Sequence, residues 1–245
     1  LKALNKLHPV GPQLHRKEDD ALPEALVSST TEIKEALQSF PAESSPGPSG
    51  LSAQHLKDAV MCQSPIYGTR CLETLTDLVN MLAAGEGVGE VKPFLAGGSL
   101  TPLRKDDDGV RPIALGETLR RLVAQCLIRN EAVGPTLGMY FLPTQVGVGV
   151  PGGAEATVHA VKALVAELGD NPDKALLKID FENAFNKVSR EAFVETVEAD
   201  FPGMSRWVRW CYEEHSNLWV QGQAVTSQCG TQQETPLDKC CLQWC

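Results

Sequence analysis

Residues 175–190 read ALLKIDFENAFNKVSR. The stretch 175–180 is a short apolar run that ends in a carboxylate. Its length and composition suit a buried strand better than a helix. The expectation is therefore a strand over 175–180 that delivers Asp180 at its carboxyl end, where ligands bind in many sheets. A hard oxygen donor at such a place suits Mg²⁺. The plainer reading has Asp180 capping the next turn.

Outward from this stretch the pattern is mixed. Residues 189–200 and 203–214 read as helices, and NLWVQGQAV (217–225) as one alternating strand. Upstream, 153–168 has helical spacing, 140–152 is a Pro/Gly loop, and 118–128 is an amphipathic helix. SLTPLR and VRPIAL flank the charged turn KDDDG (105–109), a hairpin in which Pro112 confines its strand to an edge or an end. Helices are expected over about 52–60 and 69–84, the latter carrying Leu72, Leu75, Leu78 and Leu82 on one side. Ser29-Thr30-Thr31-Glu32 fits a capping box that opens a helix running to about Phe40. Residues 41–50 are a loop, and 1–28 show no stable period. No internal repeat is visible, and the order of elements is α+β rather than a regular alternation.

The 245 residues are 42% hydrophobic and 22% charged, which excludes wholesale disorder. No apolar run reaches a membrane span and no signal peptide opens the chain, so a soluble, intracellular protein is expected, with its eight cysteines reduced. The start at Leu1 and the terminal CCLQWC read as a fragment. Net charge is −9, which argues against a protein that coats itself in nucleic acid. Residues 101–130 stand apart with six bases against four acids, leaving sixteen bases against twenty-seven acids elsewhere.

Several residues are candidates for chemistry. Lys105 and Arg111 flank one tight turn and could reach one polyanion together, although three adjacent aspartates favour a solvated face. Gly147-Val148-Gly149-Val150-Pro151-Gly152 matches GxGxxG and leads through a helix and a strand to Asp180. That is the order of a dinucleotide-binding unit. Against it, the loop does not come straight off a strand, and Asp180 follows Gly152 by 28 residues, beyond the usual spacing. His215, Cys229, Cys240 and Cys245 lack a CxxC pair, so a zinc site is not expected. His159 reads as a packed histidine on an apolar helix face. Trp207 and Trp210, beside Arg206 and Arg209, suit stacking on nucleic acid but at helical spacing fit the core better.

Five segments, taken in order, resemble the fingers and palm of reverse transcriptases encoded by non-LTR retrotransposons. SPGPSGL (45–51) with QHLK (54–57) resembles the family's GPDGL…HLK opening. LTPLRKDDDGVRPIALGETLRRL (100–122) resembles its fingers hairpin, and QVGVGVPGGAEATVH (145–159) the stretch before the palm. IDFENAFNKVSR (179–190) resembles motif A. Gly230-Thr231-Gln232-Gln233 with Pro236-Leu237 resembles the opening of motif B, usually GxQQGDPLGP.

The resemblance implies a right-hand polymerase in part: a linker or upstream end over 1–29, a fingers-like region over 30–150, a partial palm over 151–239 with its antiparallel sheet incomplete, and an aberrant tail over 240–245. It implies RNA-directed DNA synthesis, a Mg²⁺-dependent nucleotidyl transfer, with an RNA template, a DNA primer and a dNTP as partners. Asp180 would hold two Mg²⁺ ions, joined by the backbone carbonyl of Phe181. Phe185 would lie under the nucleotide sugar and exclude a 2′-hydroxyl. Lys105 and Arg111 would grip the triphosphate, and Gln233 would line the nucleotide pocket. Glu234 and Thr235 stand where the family has Gly-Asp, and Asp238 and Lys239 where it has Gly-Pro. Glu234 puts bulk and negative charge beside a triphosphate. The family's second carboxylates come from a later YxDD hairpin that this sequence does not contain. The chain as given is therefore expected not to polymerise. The alternatives are a non-catalytic remnant that binds RNA or protein, and a dinucleotide-binding enzyme using residues from Gly147 to Asp180.

Overall fold

The computed structural model describes residues 1–86, 89–106, 109–146, 150–169, 171 and 173–232. In chain order these form α1 (Lys2–Leu7), α2 (Thr30–Gln38), α3 (Ala53–Val60), α4 (Pro65–Ala83), α5 (Lys92–Leu95), β1 (Gly98–Arg104), β2 (Val110–Gly116) and α6 (Thr118–Arg129). There follow α7 (Gly134–Phe141), α8 (Gly153–Leu168), α9 (Ala184–Lys187), α10 (Arg190–Asp200), α11 (Ser205–Tyr212), β3 (Ser216–Val220) and β4 (Gln223–Ser227). The fold is mixed α and β and helix-rich, as the element order implies.

Local chemistry sets several boundaries. The capping box at α2 is complete: the Ser29 hydroxyl oxygen accepts from the Glu32 N–H, and the Glu32 carboxylate accepts from the Ser29 N–H at 2.7 Å. Ser52 and His55 form the same reciprocal pair at α3. Pro65 opens α4 at a position where its missing N–H costs nothing.

The sheet has the order β2-β1-β3-β4. β1 and β2 pair antiparallel from Gly98↔Gly116 to Arg104↔Val110. β1 meets β3 in parallel only at Gly98↔Leu218 and Ser99↔Trp219. Pro112 thus lies on an edge strand, and Pro102 lies past the point where β3 leaves β1, so neither removes a needed ladder bond. The stretch 217–225, expected as one strand, is instead the hairpin β3–β4. Gln221 and Gly222 both have positive φ (48° and 75°), as a two-residue primed turn requires.

One apolar core runs through both halves of the chain. It joins Ile33 and Leu37 of α2, Val79 and Leu82 of α4, Leu122 and Leu127 of α6, Phe193 and Val197 of α10, and Trp207 of α11. Trp207 and Trp210 are stacked at 5.1 Å and buried, which settles them as core residues. A smaller cluster lies under α1, where Leu4 covers Leu100, Ala114, Leu218 and Val225 of the sheet.

The first 29 residues, expected as a linker or the end of an upstream region, are held to the rest of the chain mainly through their backbone. Arg209 donates to the His15 carbonyl at 2.9 Å and Arg206 to the Pro23 carbonyl at 2.7 Å. The Leu26 N–H donates to the Gly203 carbonyl, and Asn80 pairs with both backbone groups of Ser28. Glu198 takes Arg209 on one oxygen and Lys17 on the other. Carbonyl groups carry these bonds, so no side-chain periodicity announces them.

Two further expectations are corrected. Residues 175–180 form no strand: the segment is exposed and lies outside the sheet, with Leu177 79% and Ile179 66% accessible. Strand composition needs a neighbouring strand to pair its N–H and C=O groups, and among the described residues none runs beside it. His159 is not packed. α8 forms where expected, yet Val158, Val161, Leu164 and Val165 on it are exposed, and His159 faces Glu155 at 3.9 Å with most of its ring in solvent. Among the described residues no helix is long and apolar enough to cross a membrane.

Acid should weaken this fold in two stages. Burial pushes the His8 imidazole below its usual range, against the Leu4 carbonyl hydrogen bond that raises it. The unfolded chain takes up that proton more readily, so stability falls as pH drops through the ordinary histidine range. Burial raises the Glu198 carboxyl, but the hydrogen bonds and charges of Arg209 and Lys17 outweigh it and hold the group below the usual carboxylate range. That contribution is present at neutral pH and is lost as pH falls through the carboxylate range. Urea denaturation at pH 7.5, 5.5 and 4 should give successively lower midpoints.

Candidate functional site

At the end of the hairpin β1–β2, Arg104, Lys105 and Asp106 are exposed. The Lys105 N–H donates to the Gly109 carbonyl at 2.9 Å and closes the turn. Arg111 stands opposite Leu103 in the register, and Lys105 directly follows Arg104, the last residue of β1. Both cations, with Leu103, Arg104 and Asp106, line an open cavity of about 500 Å³ at the end of the hairpin. Both are exposed, and neither forms an ion pair with another described residue.

A second assembly joins two stretches more than forty residues apart. The Thr231 N–H donates to the Phe185 carbonyl at 2.7 Å, and the Gly230 N–H to the Val188 carbonyl at 3.0 Å. Gly230 has φ +73°, and a Cβ there would fall against the Phe185 carbonyl oxygen and within 2.5 Å of the Asn186 Cα. Only glycine fits. Arg190, itself buried, donates from Nε to the Gly230 carbonyl at 3.0 Å and from Nη2 to the Ser227 hydroxyl at 2.8 Å. Next along the chain, the Gln232 amide donates to the Ala96 carbonyl at 2.8 Å, the same oxygen that Arg120 reaches. The guanidiniums of Arg120 and Arg190 lie 5.0 and 5.2 Å from the centre of the Tyr212 ring.

A third contact seats the 44–51 loop on the start of α6. Ser49 donates its N–H and hydroxyl to the Glu117 carboxylate, each at 2.7 Å. Arg121 donates to the Ser44 hydroxyl and the Ser45 carbonyl, and the Thr118 hydroxyl donates to the Leu51 carbonyl.

Other sequence-derived site residues stand apart. Asp180 and Phe181 lie on the exposed 174–181 stretch, Phe181 with 76% of its surface accessible, and no hydrogen bond or ion pair joins Asp180 to a described residue. Glu182 is paired with Lys187 at 3.2 Å. Phe185 is half-buried in α9. Gln233, Glu234, Thr235, Asp238 and Lys239 lie outside the described residues, as do Gly147, Val148 and Gly149. Among the described residues no three His, Cys, Asp or Glu side chains converge as a metal site.

Arg120, Arg190 and Glu117 escaped the sequence reading as site-building residues. For the two arginines a signal existed. Val123, Ala124 and Leu127 follow Arg120 at i+3, i+4 and i+7, and Phe193, Val194 and Val197 follow Arg190 at the same spacing. Each arginine therefore heads the buried stripe of its helix.

No protein-family model and no curated protein matches this chain.

Proposed function

We propose that the chain is the fingers and first part of the palm of a reverse transcriptase of the non-LTR type, and that it binds a nucleoside triphosphate without transferring it. The observation that carries the reading is that Lys105 and Arg111, at one end of one hairpin, line one cavity. A polyphosphate is the ligand such a pair fits, Arg by its fork and Lys as a point charge. Two further contacts support it. Segments singled out by the resemblance meet in space: 185–188 touches 230–231, and 44–51 touches 117–121.

The Mg²⁺ pair that the resemblance implies does not fit the described residues. Asp180 offers one carboxylate on an exposed stretch, and the nearest in sequence, Glu182, is held by Lys187. Two-metal transfer needs oxygens from more than one carboxylate. The dinucleotide reading has less to stand on. α7, not a strand, precedes the glycine-rich loop, and the segment ending at Asp180 lies outside the sheet.

Thermal unfolding with dTTP and with NAD separates the readings. A ligand at 100 times its dissociation constant stabilises by about 2.7 kcal/mol. dTTP should raise the melting temperature, the Lys105→Ala/Arg111→Ala variant should abolish the rise, and NAD should leave it unchanged. A rise with NAD alone would reverse the assignment.

A further inference from the structure

We infer that a second cavity, beside the 44–51 loop, binds the guanidinium of an arginine side chain on a partner polypeptide. Pro48, Ser49, Phe94, Ser99, Glu117 and Trp219 line this space of about 480 Å³, which shares no residue with the hairpin cavity. Five pieces of chain meet there: the loop, α5, the start of β1, the residue before α6, and β3.

Two features define its chemistry. The Phe94 and Trp219 rings are parallel to within 5° with centroids 6.2 Å apart, and Phe94 is 52% exposed, so a flat aromatic surface faces solvent. Glu117 is only 3% exposed. Its Oε1 accepts from the Ser49 N–H and its Oε2 from the Ser49 hydroxyl. The N-terminus of α6 adds partial positive charge. Among the described residues, however, no cation lies within ion-pair distance of it. A buried carboxylate without a cation is costly, and a cationic ligand offsets that cost.

A guanidinium answers both features at once. It is planar, stacks on aromatic faces, and presents a fork of donors to a carboxylate. An ammonium would meet the charge and could sit over a ring, but it is a point charge that can neither stack flat nor present a fork. A nucleobase would also stack. Its phosphate would find no partner, because none of the six lining residues is basic and the chain carries −9 overall. The occupant is therefore an arginine-bearing polypeptide. The inference does not depend on the hairpin's reading as a triphosphate grip.

The test titrates the whole chain with the peptide acetyl-Gly-Arg-Gly-amide, with its citrulline counterpart, and with GMP, following backbone amide and indole NMR signals. The arginine peptide should shift the Trp219 indole and the Ser49 and Ser99 amides saturably. The citrulline peptide, equal in shape but uncharged, should bind about tenfold more weakly. GMP should leave those signals in place. Phe94→Ala, at a half-exposed position, should weaken the arginine peptide about fivefold. Glu117→Gln should make the two peptides equivalent. Equal binding of both peptides to the unaltered chain, GMP shifting the same signals, or an unaffected Phe94→Ala variant would each overturn the assignment.

Discussion

Gly230→Ala should destabilise the protein by on the order of 3–5 kcal/mol, a large part of the 5–15 kcal/mol typical of a folded domain. Two costs add. The left-handed backbone at φ +73° disfavours any side chain by about 1–2 kcal/mol. The new methyl also meets the Phe185 carbonyl and the Asn186 Cα. These are backbone atoms that cannot swing aside. Relief would require breaking the Gly230 and Thr231 hydrogen bonds to Val188 and Phe185, and with them the Arg190 contact to the Gly230 carbonyl. Gly222→Ala is the control. Its φ is also positive (+75°), but nothing lies within 4 Å of the added atom, so only the same backbone cost of about 1–2 kcal/mol applies. Urea denaturation followed by circular dichroism should separate the two variants clearly. Equal losses would mean that the close approach at 185–186 carries no energy.

Arg190→Met should cost about 2–4 kcal/mol. Methionine keeps most of the apolar stem but deletes the donors to the Gly230 carbonyl and the Ser227 hydroxyl and the cation over Tyr212. The acceptors it leaves behind are enclosed, so their lost bonds are not replaced by water. Arg190→Lys should rescue little, because one ammonium cannot span Gly230, Ser227 and the ring together. Full rescue by lysine would show that charge alone matters there. His215 offers an independent reading of the same charge. Burial and then the Arg190 cation hold its imidazole below the ordinary range. Its titration, followed by NMR, should move upward in Arg190→Met.

Much of this fold was readable because local chemistry decides it. The Ser29–Glu32 box, the hairpin about 105–109 and the helices α3, α6 and α8 follow from caps, turns and spacing within a few residues. Residues 175–180 failed for the opposite reason. Their strand character is real in composition, but pairing is a property of two segments, and the described sheet ends at β2 on one side and β4 on the other. The turn at Gln221–Gly222 was missed because apolar alternation continues across it in sequence, while only the backbone dihedrals reveal the reversal. The docking of 1–29 was invisible because arginines reach carbonyl groups, which every residue carries.

The candidate site divides in the same way. Lys105 and Arg111 were legible because a tight turn places both by local geometry. The Gly230–Phe185 junction was legible only as two separate motifs. Their contact depends on φ at one glycine and on Arg190, whose place at the head of an apolar stripe signals a buried charge. Glu117 gave no signal at all: its partners come from a loop 68 residues away.

The most direct test of the central claim, that the β1–β2 hairpin grips a nucleoside triphosphate, is a two-dimensional NMR titration of the whole chain with dTTP. The account predicts saturable shifts concentrated in 103–106 and 109–111, absent in the Lys105→Ala/Arg111→Ala variant and unaltered in Asp180→Ala. Shifts centred on 150–180, or shifts at the hairpin that persist in the double variant, would contradict it.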